Sequence, residues 1–189
     1  MHKSIAELRD LDEAERWYRR SLELREPSDI QARGKYLTQL GSIAYERFSE
    51  SRATGRPGDE VTSHLAKAAQ MYHEALEVLP STAIDRGVTH NQLGSIYESA
   101  GDLERAMHHF QQAIRFAEQE GNSYSAGNRR FNLARLLFMA GRLDDARAYA
   151  AAALANYLAF DDRLAAEATH RVQQLIADLD QAERQEVEA

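Results

Sequence analysis

Residues 10–24 read DLDEAERWYRRSLEL, and the same pattern returns later in the chain without gaps. The later copies are HLAKAAQMYHEALEV at residues 64–78, DLERAMHHFQQAIRF at residues 102–116 and RLDDARAYAAAALAN at residues 142–156. A pattern that recurs in this way is the signature of a repeat architecture. The stretch is therefore one unit of a predicted structural repeat.

The copies share a small set of positions that would lie along one face of a helix. Measured from the leucine that opens each copy, the offsets are 0, 3, 7, 10 and 11, which is the spacing of an α-helical face. These positions hold Leu11, Leu65, Leu103 and Leu143; Ala14, Ala68, Ala106 and Ala146; Tyr18, Tyr72, Phe110 and Ala150; Ser21, Ala75, Ala113 and Ala153; and Leu22, Leu76, Ile114 and Leu154. The small residues let a neighbouring helix approach closely, so the pattern indicates packing rather than chemistry.

A second family of predicted helices precedes the later copies. Its members are YLTQLGSIAYERF at residues 36–48, THNQLGSIYESAG at residues 89–101 and RFNLARLLFMAGR at residues 130–142. Gly101 and Gly141 are placed to end these helices in a left-handed turn. Asp102 and Asp144 then lie near the start of the next helix, where a carboxylate is favourable. The sequence therefore predicts an alternation of helix A, tight turn and helix B.

The chain resembles the tetratricopeptide repeat family over roughly residues 5–155. The matching residues are Leu93, Gly94, Tyr97, Ala106, Phe110 and Ala113 in one unit, and Leu133, Ala134, Leu137, Ala146 and Ala153 in the next. The resemblance implies an all-α fold, a right-handed α-solenoid of stacked antiparallel helix pairs with a C-terminal capping helix. Equivalent leucines are 54, 38 and 40 residues apart, longer than the family's basic repeat of about 34. Such longer units are similar to those of bacterial regulatory proteins.

The predicted organisation follows from these spacings. A partial first repeat, mainly its B helix, covers residues 1–26, and the second repeat covers 27–80 with an inserted loop at 47–63. The third repeat covers 81–120, the fourth covers 121–158, and a capping helix with a frayed tail covers 159–189. Within the insertion, which is either a tolerated insertion or a functional loop, helix A is expected to run to about Thr54. It would turn at residues 55–58, and Asp59 would cap the following helix.

The last predicted helix is amphipathic and suits a solenoid end, which needs a polar outer face. Asp161 or Asp162 is expected to cap it. Its apolar stripe is predicted to comprise Leu164, Ala168, Val172, Leu175 and Leu179. The tail past Leu179 is expected to fray.

Composition narrows the function classes. The net charge of −7 disfavours nucleic-acid binding, and no apolar run is long enough for a membrane span. The chain has no cysteine, which suits the cytoplasm and excludes thiolate chemistry. The adjacent His108 and His109 point in different directions on a helix, so no metal site is expected. No phosphate-binding loop or nucleophile motif is present, and neither catalysis nor a cofactor is expected.

A binding groove is implied by the resemblance, because the A helices of such arrays line a concave surface. The positions that alignment assigns to it are Lys35, Thr38, Gln39, Ser42, Tyr45, Asn91, Gln92, Ser95, Glu98, Asn128, Phe131, Asn132, Arg135 and Phe138. Amide side chains both donate and accept hydrogen bonds, which suits the backbone of an extended peptide. Asn91, Asn128, Asn132 and Arg135 are the foremost candidates for contacts. An ordinary solvated helix face is the alternative interpretation.

One subtype of the family grips acidic chaperone tails with lysine, asparagine and arginine side chains. The matching places here hold Thr38, Ser42, Gln92, Asn128 and Asn132, none of which is basic. A carboxylate clamp is therefore not expected.

Two functional hypotheses remain open. The first is a non-catalytic module that binds a peptide or protein segment in the groove, as a scaffold or sensor part of a larger regulatory protein. The second is structural self-association into a homodimer. It depends on Trp17, which lies near an end of the array that has almost no A helix before it. Trp17 either covers its own repeat or contacts a missing repeat or a second subunit.

Overall fold

The computed structural model describes residues 10–80 and 84–188, and within them it contains eight α-helices and no strand. The helices are α1 (Leu11–Leu24), α2 (Ile30–Ala53), α3 (Gly58–Val78), α4 (Ile84–Ser99), α5 (Leu103–Gln119), α6 (Ser123–Met139), α7 (Leu143–Tyr157) and α8 (Arg163–Glu188). The all-α prediction is confirmed. The contacts divide the chain into two compact units, Met1–Asp85 and Arg86–Ala189.

Side-chain caps explain where most of the helices begin. Asp102 accepts a hydrogen bond from the backbone N–H of Arg105 at 3.0 Å, which satisfies one of the unpaired donors of the first turn. The same type of cap precedes four other helices, at Asp10, Asp29, Asn122 and Asp162. Helix α3 differs, because it follows Pro57 and has no side-chain cap. The prediction that Asp59 caps this helix is wrong, and Asp59 lies within its first turn instead.

A glycine joint ends four of the helices in the same way. At the end of α4, Gly101 has a φ of +76° and its N–H donates to the carbonyl of Glu98, while Asp102 N–H donates to that of Tyr97. This pair of bonds satisfies carbonyls that the helix leaves unpaired. The glycine joints are Gly55, Gly101, Gly121 and Gly141, with φ of 65°, 76°, 66° and 70°. The predicted roles of Gly101 and Gly141 are confirmed.

The first unit is built on the packing of α2 against α3. Gly41 of α2 lies directly against the ring of Tyr72 of α3, so close that an added Cβ would be 2.9 Å from the ring. Leu37, Ala75 and Leu79 form a buried cluster beside this contact. Most of the expected inserted loop at 47–63 is helical, because α2 runs to Ala53 and α3 begins at Gly58. Only residues 54–57 connect the two helices.

The second unit repeats the same contact between α4 and α5. Gly94 of α4 lies against Phe110 of α5, where an added Cβ would be 2.6 Å from the ring. The alanines of the copied pattern in this unit are fully buried: Ala106, Ala113, Ala146, Ala150 and Ala153. The small residues therefore do what the sequence predicts, since they allow neighbouring helices to pack at short range.

Helix α8 packs on α7 and α6 at the end of the second unit. Ala168, Val172, Leu175 and Leu179 are buried as predicted. Leu164 is 59% exposed, so its predicted place in the stripe is wrong, and the buried Ala165 takes that position.

The end of α8 is ordered by contacts with α7. Arg147 of α7 lies 2.7 Å from Asp180 and 2.9 Å from Glu183 of α8. Helix α8 continues to Glu188, past the point at which the sequence predicts fraying, and these ion pairs lie in that stretch.

Candidate binding surface

Two amide side chains join α4 to α6 in the second unit. Asn132 Nδ2 donates to Asn91 Oδ1 at 3.1 Å, and both residues are half-buried. On α4, Ser95 Oγ donates to the backbone carbonyl of Asn91 at 3.4 Å. The structure therefore brings together two of the foremost candidates from the sequence, although they are 41 positions apart.

An ion pair forms a second link between the same two helices. Arg135 of α6 lies 2.7 Å from the carboxylate of Glu98 of α4. The Glu98 side chain is only 14% exposed, whereas that of Arg135 is 42% exposed. One face of the guanidinium is thus free to meet solvent while Glu98 fixes its position. We call Asn91, Glu98, Asn132 and Arg135 the α4–α6 surface.

The other predicted groove residues of the second unit have different surroundings. Asn128 Oδ1 accepts a hydrogen bond from Tyr157 OH at 2.8 Å, so this amide is directed toward α7. Burial raises the pKa of Tyr157 to about 12, which keeps its hydroxyl a donor at neutral pH. The Arg171 guanidinium lies 5.9 Å from the ring centre of Phe131. The remaining three residues are half-buried: Gln92, Ser95 and Phe138.

The predicted groove residues of the first unit all lie on α2, but they are not equally available. Lys35 and Gln39 are exposed, and Tyr45 is half-buried with its ring stacked on that of Phe48. Thr38 is buried, and its Oγ1 donates to the carbonyl of Gly34 at 3.0 Å. The prediction that Thr38 faces a ligand is wrong, because its side chain satisfies the helix backbone instead.

Ser42 of α2 is engaged by a neighbouring helix. Its Oγ is 3.0 Å from Tyr72 OH of α3. Burial raises the pKa of Tyr72 to about 12 although the bond from Ser42 opposes the shift. The contact between the half-buried Ser42 and the buried Tyr72 fixes the Tyr72 ring over Gly41.

Trp17 of α1 is 59% exposed. Its ring makes edge-on contacts with Tyr18 at 5.0 Å and with Tyr36 of α2 at 6.2 Å between centroids. The indole therefore packs against its own repeat on one side and presents most of its surface to solvent.

An ion cluster in the first unit was not predicted from the sequence. Glu15 of α1 accepts hydrogen bonds from Arg19, from Arg47 of α2 and from Lys67 of α3. Burial acts to raise the pKa of Glu15, but the bonds from Lys67, Arg19 and Arg47 lower it to about 2. The cluster borders a polar cavity of about 630 Å³. Residues 15, 47 and 67 lie in different helices, so no periodicity signals their meeting.

The described ranges contain no helix that is long and apolar enough to cross a membrane. Within the same ranges, no three histidine or acidic side chains are grouped closely enough to hold a metal ion.

Comparison with known proteins agrees with this architecture. A family model described as tetratricopeptide repeat matches residues 85–159, which span nearly all of α4 and extend just beyond α7. Among solved structures, the chain is similar to BtubC (BKLC) from P. vanneervenii, with a TM-score of 0.70 and 19% identity over 94% of this chain and 70% of that one. At this identity the similarity is one of fold. No curated protein sequence matches the chain.

Proposed function

Because residues 85–159 are tetratricopeptide repeats, we propose that the second unit binds an extended peptide or protein segment on the α4–α6 surface, without catalysing a reaction. Tetratricopeptide repeats generally mediate protein–protein interaction. The finer proposal concerns where and how this chain would do so.

The observation that carries the proposal is the hydrogen bond between Asn132 and Asn91. It uses one donor of the Asn132 amide and one lone pair of the Asn91 oxygen, which leaves the Asn91 amide hydrogens and the Asn132 oxygen for a ligand. A peptide backbone alternates donors and acceptors, so it can pair with such an amide twice. The mutual bond also fixes both side chains before binding, which lowers the entropy lost when a ligand is captured.

The direct test is the double substitution Asn132→Ala with Arg135→Ala. Wild-type protein is applied to an array of synthetic ten-residue peptides, and the peptides that bind are then titrated in solution by calorimetry. We expect the double variant to bind them at least about tenfold more weakly, since a lost hydrogen bond to a charged group and a lost amide pair together exceed about 1.4 kcal/mol. Its melting temperature should change little, because both side chains are partly exposed and neither belongs to the buried core of the unit.

The matched control is Gln111→Ala with Arg115→Ala on the exposed face of α5. It removes one amide and one guanidinium, as the test variant does, and should bind the peptides as tightly as wild type. Equal binding by the test variant and wild type would contradict the proposed site. A large drop in its melting temperature would show that Asn132 and Arg135 stabilise the fold rather than contact a ligand.

The proposal extends to a scaffold or sensor role in a larger regulatory protein of the bacterial cytoplasm. Its support is the long spacing of equivalent leucines, which is similar to that of arrays in bacterial regulatory proteins.

Self-association is a second candidate function, favoured by the exposure of Trp17. A large exposed aromatic side chain on a repeat helix offers an apolar contact to a second copy. The edge-on contacts with Tyr18 and Tyr36 hold the indole in one orientation, which favours a defined interface.

Light scattering across a concentration series tests this candidate. If the chain forms a homodimer through the surface around Trp17, we expect the measured mass of the wild type to double with concentration. The mass of Trp17→Ala should stay that of a monomer. Leu158→Ala, which truncates an equally exposed apolar residue in the second unit, is the control and should dimerise normally. A wild-type mass that stays monomeric at all concentrations would reject self-association.

A further inference from the structure

Two histidines from different helices meet inside the second unit. His90 of α4 and His109 of α5 are 9% and 8% exposed, and their Nδ1 atoms are 3.0 Å apart. Phe116 stacks on the His90 ring at 5.7 Å, and Tyr97 stacks on the His109 ring at 5.3 Å. The two imidazoles thus lie between aromatic rings in the interface of α4 and α5.

The distance between the two nitrogens fixes the protonation pattern of the pair. At 3.0 Å the atoms are hydrogen-bonded, so one Nδ1 carries a hydrogen and the other accepts it. When both rings are neutral, they must therefore be opposite tautomers. The donating ring can gain a proton on its Nε2 and keep this bond. The accepting ring cannot, because its Nδ1 lone pair is the acceptor.

We propose that the His90–His109 pair is an acid-sensitive latch that holds α4 against α5. The bond survives with no more than one extra proton, whereas two separated histidines in the unfolded chain each bind a proton below their ordinary pKa of about 6.5. Acid therefore favours states in which the rings have parted. This inference does not depend on whether the α4–α6 surface binds a peptide.

Helices α4 and α5 are packed closely on both sides of the histidine pair. Gly87 and Gly94 stand on either side of His90 along α4, and each lies against a ring-bearing residue of α5, Phe116 and Phe110 respectively. At both positions an added Cβ would be closer than 3.0 Å to the opposing side chain. Because the helices are this close and each imidazole is stacked on an aromatic ring, we infer that the rings separate when α4 moves away from α5.

The charges that surround the pair add to the cost of a further proton. Within the second unit, the His108 ring lies 5.4 Å from His109, and the Arg105 guanidinium lies 4.3 Å from the Tyr97 ring that stacks on His109. From α6, the buried Arg129 reaches Gly87, one turn before His90, and donates to the carbonyl of Ala113. The acid near Arg129 is Glu120 at the end of α5. Arg105 is paired with Asp102 at 2.6 Å, so the buried guanidinium of Arg129 is the charge among these groups that opposes a second positive charge on the pair.

The sign of the pH effect follows from the proton count. Where the unfolded chain binds one proton more than the folded chain, the folding constant falls about tenfold for each pH unit of acidification. This loss begins below about pH 6.5, where histidine ordinarily titrates. Well above this pH the unfolded chain holds both histidines neutral, so this source of acid sensitivity is absent.

The test combines a spectroscopic and a thermodynamic measurement on the full chain, with a chelator present throughout. Nitrogen-15 NMR of the imidazoles at about pH 7.5 should show one ring protonated at Nδ1 and the other at Nε2. Urea unfolding followed by circular dichroism, between about pH 7.5 and 5, should show a steeper loss of stability in wild type than in His109→Asn. Asparagine keeps a polar group near the Nδ1 position but does not titrate.

The control variant is His170→Asn, which removes an exposed histidine on α8 and should keep the wild-type slope. His90→Asn replaces His109→Asn if the latter does not fold. Identical tautomers on the two rings would overturn the proposal. Equal slopes in wild type and the latch variant would also overturn it.

Discussion

Gly94→Leu should destabilise the second unit by more than about 3 kcal/mol, the upper end of the usual cost of overfilling a core. The first added carbon alone would lie 2.6 Å from the Phe110 ring, and Phe110 has no exposed surface into which it could move. A leucine places three further carbons in the same space. The measurement is urea unfolding followed by circular dichroism. Trp17 fluorescence reports separately on the first unit, because the chain has a single tryptophan.

Two companion variants make this result specific. Gly58→Ala is the matched glycine control, since nothing lies within 4 Å of the added carbon, and it should be neutral or slightly stabilising. Phe110→Ala should cost about 3–5 kcal/mol by itself. Adding Gly94→Leu to Phe110→Ala should then recover stability, because the leucine fills the vacated space. A stable Gly94→Leu single variant would contradict the helix pairing itself.

Glu15→Gln should lower the free energy of unfolding of the first unit by about 2 kcal/mol at neutral pH. A carboxyl group that ionises near 2 instead of 4.5 contributes up to about 3 kcal/mol. Screening by solvent around its partners reduces that figure. Because the folded-state pKa is lowered, this stability is present above about pH 4.5 and is lost as the pH falls toward 2. Glutamine keeps the shape of the side chain and removes the charge.

The pH dependence separates this effect from a simple loss of packing. The free energy of unfolding, measured by urea unfolding with Trp17 fluorescence, should become the same in wild type and Glu15→Gln as the pH approaches 2. The wild-type carboxyl group then loses its charge by protonation. Glu13→Gln, on the exposed face of α1, is the control and should follow wild type at every pH. A difference in the free energy of unfolding between Glu15→Gln and wild type that stays constant from pH 7 to 2 would refute the electrostatic explanation.

The features that could be predicted from the sequence are those that recur along it. The copied alanines and the glycines at the helix ends leave a periodic signal, and both appear in the structure. Asp59 and Leu164 were assigned by local position alone. Asp59 is not the cap because Pro57 precedes α3, which begins without a side-chain cap. The apolar stripe of α8 is shifted by one position, so that Ala165 is buried and Leu164 is exposed.

Contacts between distant polar residues could not be predicted in the same way. Glu15 meets Arg47 and Lys67 because three helices converge, and His90 meets His109 across a helix pair. Each contact depends on the rotation of two helices about their axes, which the apolar pattern fixes only to within a residue. For the α4–α6 surface the alignment of repeats named Asn91 and Asn132 as candidates, but it did not predict their mutual bond. That bond joins positions one residue out of register, because Asn91 lies two residues before Leu93 and Asn132 lies one residue before Leu133. The alignment failed for Thr38, whose hydroxyl bonds to its own helix.

The glycine joints have a consequence for how such a chain can change over evolutionary time. Each joint is closed by backbone hydrogen bonds within six consecutive residues. The residues that end the helix are therefore encoded by the same short segment of the gene as the end of the helix itself. A duplicated or deleted helix pair would bring its own ends and require no compensating change elsewhere. The length of such a chain can therefore change by whole helix pairs, because the residues that end each of these four helices lie next to it in the sequence.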